Sequence, residues 1–438
     1  MKFTKFGKAL LMSALSVAVV LGISSCVQSY TVGYLYVTGT ITAQPGGNGI
    51  ITGFDIDHNT GKLNQIDGLP VSSGGANPVR AALLTGSRFL YVLNRGTNSS
   101  GGSVCTTSDP CQNSNIQQFA VGGNGILTPQ ETFYTQGINP FRMFADASGS
   151  FLYILDHDAP SSAACQLALG AATTVCGDIT AFQINSTTGR LSLIVNAQVT
   201  SASGAALPYY PVPANPIDFS IASGYVLTLS GTPATGDVVF PYTYSQANGQ
   251  LSVNQNTAQT LGVSQATALV SGTGYMYVLD NENTDVGTTY QSQILPYSVG
   301  TNGALQAQTG GAVPDDSTLA NPIELLVESK GKFLYVANQG NNVQGTNANS
   351  GLAGYVIDPS THQLSFIAGE PFGSGSGPQC LVEDPSDQFI YSADFNDSAV
   401  SGRVVDPNSG VLNNLRVGNG TFALQGPATW CLVDGRTN

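Results

Sequence analysis

One short phrase returns seven times along this chain, and no other feature narrows the possible folds so far. It reads "ITGFDIDHNTGKL" at 51–63, then "IQQFAVGGNGIL" (116–127), "ITAFQINSTTGRL" (179–191) and "VFPYTYSQANGQL" (239–251). It continues as "ILPYSVGTNGAL" (294–305), "LAGYVIDPSTHQL" (352–364) and "VSGRVVDPNSGVL" (400–412). Each copy alternates apolar and polar residues and then meets a Gly- or Asn-rich turn, the pattern of a β-hairpin. A second phrase precedes every copy, as in "RFLYVLN" (88–94) and "KFLYVAN" (332–338). A third lies earlier still and follows a proline: "NPVRAALL", "NPFRMFAD", "NPIDFSIA", "NPIELLVE" and "GPQCLVED". From that Pro to the Tyr of the second phrase is 13 residues in four units, Pro78–Tyr91, Pro140–Tyr153, Pro322–Tyr335 and Pro378–Tyr391.

Each unit therefore reads as four antiparallel strands: A after the Pro, B through LYV, C through the repeated phrase, and D after its turn. Units of roughly 45–65 residues built this way predict an all-β protein, a seven-bladed β-propeller of four-stranded antiparallel blades. The first unit lacks strand A, while "GPATWCLVDG" (426–435) is a strand A with no B after it. That C-terminal strand is expected to join blade 1 and close the ring, which removes exposed sheet edges. The expected single propeller covers 26–438. Blade 1 takes 30–70 plus 426–435, and blades 2 to 7 take 77–134, 139–202, 215–262, 265–310, 321–372 and 377–424.

Residues 1–25 read as a lipoprotein signal peptide. Lys2, Lys5 and Lys8 form a basic start, Ala9–Ile23 an apolar stretch too short to span comfortably, and "GISSC" puts Cys26 in the lipidated position. Export with a lipid anchor at the cell envelope is the expected location, with membrane contact through that lipid only. The other six cysteines suit an oxidising compartment. Cys105 with Cys111 and Cys165 with Cys176 would close short loops; Cys380 and Cys431 are either a long-range pair or two buried thiols. No CxxC occurs and there are only three histidines, so neither a metal nor another cofactor is expected. The net charge of −13, or −16 without the three leader lysines, excludes a basic nucleic-acid surface. The protein is expected to be a monomer.

The pattern seen most fully at Pro322–Leu364 resembles the seven-bladed lactonase family, which includes the 6-phosphogluconolactonase type and muconate-cyclising relatives. The resemblance implies opening or closing of a lactone ring, carried on scaffold residues that identify no catalyst. Relatives commonly carry His shortly after the Pro of strand A; this chain has none there. 6-Phosphogluconolactone itself is a poor fit for an exported protein, being phosphorylated and cytosolic.

Short A–B and C–D turns lie at one end of every blade, and the longer B–C and D–A connections at the other. The insertions 95–115, 157–178 and 203–214 thus decorate one face, where binding usually develops. Two residues after the Pro stand Arg80, Arg142, Asp218, Thr267 (a unit without the Pro), Glu324 and Cys380. Four charges among six positions, in a chain only 9% charged, mark the mouth of the central channel. Arg80 and Arg142 can polarise a lactone carbonyl or hold a carboxylate, and Asp218 or Glu324 can serve as general base. The same charges can equally pair across the channel and fix the blades.

His157, between two aspartates in "LDHDAP", is a candidate base or substrate contact, whereas His58 and His362 belong to exposed C–D turns. Tyr209 and Tyr210 in "PYYPVP" can stack on a sugar ring. The acidic loop 280–285 lacks EF-hand spacing. Asn94, Asp156, Asp280, Asn338 and Asp394, ending the LYV strands, read as turn caps. Two functions remain: a lactonase-like hydrolase of a small lactone, or a non-catalytic envelope propeller binding a glycan or protein through its long loops.

Overall fold

The structure, a computed structural model, describes residues 30–434 apart from 41–46, 84–87, 202, 223, 233–235, 254–257, 273, 282–291 and 342–348. Cys26 and the tip of the acidic loop therefore lie outside the described residues.

Seven antiparallel sheets surround an axis, and the A strands touch neighbour to neighbour around the full circle. These innermost strands are Pro78–Leu83, Ile138–Ala145, Pro216–Ala222, Ala266–Gly272, Pro322–Val327, Pro378–Glu383 and, closing the ring, Ala428–Val433. The last pairs with Thr31–Gly39 from the start of the chain, Val37 opposite Cys431. In five blades strand D is split into two short pieces that both pair with C. Blade 1, for example, uses Leu63–Gln65 and Val71–Ala76.

The Asn-Pro steps explain how each inner strand begins. Asn77, Asn139, Asn215 and Asn321 sit at φ of 53°, 60°, 52° and 54°, left-handed backbone that Asn adopts more readily than other residues with a Cβ. The proline brings no N–H to the ladder, and the register skips one residue beside it. The same bulge recurs in all seven inner strands, including the two without Pro at that point.

The repeated phrase is an inter-blade staple. The LYV tyrosine of one blade donates its hydroxyl to a carbonyl in the C–D turn of the next: Tyr36 to Gly125 (2.8 Å), Tyr91 to Gly189 (2.5 Å), Tyr153 to Gly249 (2.9 Å), Tyr277 to His362 (2.9 Å), Tyr335 to Gly410 (2.7 Å) and Tyr391 to Gly61 (2.8 Å). Blade 4 carries Leu227 at that position and so has no hydroxyl to donate. The turn residue needs positive φ, hence Gly in most copies, and His362 takes 56° in blade 6. His58 and His362 are half-buried rather than exposed, stacked on Tyr30 and Tyr275 respectively. Because the Tyr335 hydroxyl is buried with its carbonyl, Tyr335→Phe is expected to cost about 1 kcal/mol of stability, read from the urea midpoint. An unchanged midpoint would show that the staple is dispensable.

The residues ending the LYV strands are not turn caps. Asn94, Asp156, Asp280, Asn338 and Asp394 are fully buried. Asn94 donates to Asn115 Oδ1 in its own blade and to Ser73 O in the D segment of blade 1, and Asp394 accepts from Ser392 and Ser401 within blade 7.

Candidate functional site

The bulge sets which side chains meet at the channel mouth. Counted by register rather than sequence, the position after each bulge holds Arg80, Arg142, Asp218, Ala268, Glu324, Cys380 and Trp430. Ala268 thus replaces the expected Thr267, whose hydroxyl instead donates to Pro322 O. Trp430 supplies the seventh place. The orphan strand A contained that signal, for its residue after the bulge is the only tryptophan in the chain.

The four charges differ in how far they are committed. Asp218 accepts from Arg142 Nε at 3.1 Å, from its neighbour Phe219 N at 2.9 Å, and from Leu269 N on the next blade at 3.0 Å. Both its oxygens are engaged, so Arg142–Asp218 is a pair that fixes blades 3, 4 and 5 against one another. The Arg80 guanidinium carbon lies over the Trp430 indole, 3.8 Å from a ring centroid, and Arg80 donates to Val79 O. Burial, with the nearby Arg142 charge, holds its pKa down to about 9. The Glu324 carboxyl makes no hydrogen bond among the described residues. Burial pushes it up to about 7, resisted by Arg80 and Arg142 and reinforced by Asp218.

Two cavities meet at this ring. An inner chamber of about 380 Å³ has all four charged residues on its wall. An outer vestibule of about 580 Å³ shares Arg80 and Arg142 and adds Arg95, His157, Gln339 and Gln379. Arg95, His157 and Gln339 begin B–C connections, so the vestibule opens on the decorated face. The ring is the waist between the two spaces. Arg95, overlooked in the sequence because it follows strand B rather than the Pro, puts a third guanidinium above the waist. Burial and Arg142 lower its pKa, and Asp158 opposes them. His157 is turned to its neighbour, with Nδ1 3.2 Å from Asp158 Oδ1.

Tyr209 and Tyr210 do not stack in the vestibule. Both rings are buried: Tyr209 packs with Ala164 and Leu207, and the Tyr210 hydroxyl donates to Gln250. The Pro-rich loop spends them on its own packing. Cys105–Cys111 and Cys165–Cys176 stiffen the two B–C insertions, the second tying the helix Ser162–Leu169, which carries Cys165, to the start of strand C. Cys380–Cys431 is also a disulfide and fastens the inner strand of blade 7 to that of blade 1 at the closing seam. Three disulfides suit an extracellular or periplasmic setting. No helix among the described residues is long and apolar enough to cross a membrane. Among those residues no group of three or more His, Cys, Asp or Glu side chains could hold a metal.

Fold and waist together define a seven-bladed propeller with a charged constriction in its axial channel, open to one face. The family model described as "Lactonase, 7-bladed beta-propeller" matches residues 47–207 and 237–424, and the chain belongs to that family. No curated protein sequence matches it. A candidate 6-phosphogluconolactonase from Bacteroides fragilis is similar at 14% identity and a TM-score of 0.63, over 92% of this chain and 98% of that one. A second candidate from Bacteroides uniformis gives 12% and 0.63, over 92% and 99%. A periplasmic gluconolactonase from Pseudomonas aeruginosa gives 16% and 0.61, also over 92% and 99%. At such identities the likeness carries the fold alone.

Proposed function

We propose that this propeller hydrolyses the ring ester of a small lactone at the waist, as a monomer held at the cell envelope by a lipid on Cys26. The leader sequence and the three disulfides support the location. The observation that carries the chemistry is Glu324: a carboxyl with no fixed partner, poised near neutrality, facing the same small space as Arg80. In this reading Glu324 takes a proton from water as the water oxygen adds to the lactone carbonyl. Arg80 stabilises the oxyanion that forms. The C–O ring bond then breaks, and protonated Glu324 returns its proton to the departing alkoxide. The new carboxylate leaves past Arg142 and Arg95, whose guanidinium groups face the exit.

The pH dependence of kcat/KM over a panel of lactones, corrected for spontaneous hydrolysis, tests this. The base must be ionised and the guanidinium charged. The rate is therefore expected to rise through about pH 7 and to fall again near pH 9. A profile flat across pH 6–8 would remove Glu324 as the base. Absence of turnover on every lactone, with glycan binding at the decorated face, would favour a non-catalytic binding propeller.

A further inference from the structure

Side chains on the innermost strands fall into layers two residues apart. Directly beneath the charged layer, register puts Ser220 and six apolar residues, Phe144, Val270 and Leu326 among them. These three are only half-buried although they belong to the innermost strands, and all three line the inner chamber. The one polar member of the layer, Ser220, has its hydroxyl paired with that of Ser271 at 2.6 Å. The layer beneath the waist is thus an apolar band, followed away from the vestibule by Tyr275, Glu328 and Ser329, which also line the chamber.

We infer that the substrate class is a lactone whose ring carries an aliphatic chain, with the ring at the waist and the chain in the inner chamber. The inference rests on the proposed hydrolysis for the word substrate, and on the layer order for the chain. A lactone is neutral, and its carbonyl is met by Arg80 and Glu324. A hydrophilic ring alone would leave the apolar surfaces of Phe144, Val270 and Leu326 in contact with water. A chain covers them, and each buried methylene strengthens binding about three- to fourfold. At the roughly 30 Å³ that a water occupies in the liquid, 380 Å³ holds about a dozen heavy atoms, ring and chain together, which suits a short to medium chain and not a long one.

The test measures binding of straight-chain carboxylates from butanoate to dodecanoate by calorimetry at pH 6, where Glu324 is protonated and does not repel the probe. Affinity is expected to rise about three- to fourfold per methylene and to level off at about eight to ten carbons. Val270→Trp and Leu326→Trp are each expected to bring the plateau several carbons earlier. If either variant does not fold, judged by its thermal transition, the wild-type series still decides. Affinity independent of chain length would overturn the inference. So would affinity that climbs through dodecanoate and is untouched by the variants, because that is adhesion to a surface. A plateau without lactone turnover would sink the hydrolysis reading and leave the ligand class standing; turnover with no dependence on chain length would do the reverse.

Discussion

Glu324→Gln is expected to lower kcat for lactone opening by two to four orders of magnitude, with KM changed far less. The amide keeps the shape of the side chain and removes the ability to take a proton, and a positioned general base is worth about 10²–10⁴ in rate. The waist leaves little to replace it. Asp218 is saturated by Arg142, its own strand and Leu269 N, so it cannot turn toward a substrate without releasing three partners. Asp218→Asn should therefore appear in the unfolding transition more than in the chemistry, because it leaves Arg142 without its partner. Retention of more than a tenth of the wild-type kcat in Glu324→Gln, with the fold intact, would remove Glu324 from the mechanism.

Stability is expected to fall, not rise, between pH 5 and pH 8. Asp156 and Asp178 are cross-strand partners at the decorated end of blade 3, both fully buried. Gly137 closes over them, and a Cβ there would collide with both carboxyls. Burial pushes the Asp156 carboxyl up to about 7, and burial with the Asp156 charge pushes Asp178 well above the usual carboxylate range. Asp158 adds a further charge nearby, itself held by Thr107 and Asn139. Asp394 in blade 7 is likewise pushed up to about 7 by burial, and Asp315 to about 6.

For each of these groups the folded pKa lies above the unfolded value near 4. Their stabilising effect is complete below about pH 4 and is lost as pH rises through about 7, on the order of 1.4 kcal/mol per pH unit for each group in its window. Asp358 and Asp406, lowered by turn N–H groups, act in the opposite sense, but both are exposed and screened. Urea midpoints at pH 5, 6.5 and 8 read the effect, and Asp178→Asn should flatten much of it. A midpoint that rises from pH 5 to pH 8 would mean that these carboxyls are ionised in the fold.

The architecture was legible because its signals are local and repeated. The fixed spacing from Pro to Tyr, the alternation through each phrase and the orphan strand at 426–435 all report backbone pairing, which register translates directly into a closed ring. The site was legible only in part. Arg80, Arg142, Asp218 and Glu324 emerged because they vary where the scaffold does not. Ala268 was misread as Thr267 because blade 5 lacks the Pro from which the other units are counted, and Trp430 was missed because the closing strand is far from its blade in sequence. Arg95 belongs to a different strand and shares no sequence position with the others. Tyr209 and Tyr210 look like surface rings in "PYYPVP", and only tertiary packing reveals that Ala164, Leu207 and Gln250 claim them. The ion pairing of Arg142 with Asp218 also has no local signature, because the partners come from separate blades.

The central claim is that the chemistry occurs at the waist, and a crystal structure with a lactam analogue of a turned-over lactone tests it most directly. The lactam carbonyl oxygen is expected within hydrogen-bond distance of the Arg80 guanidinium, with Glu324 facing the carbonyl carbon across one water. An analogue seated among the B–C loops, with Arg80 still over Trp430 and the waist empty, would contradict it.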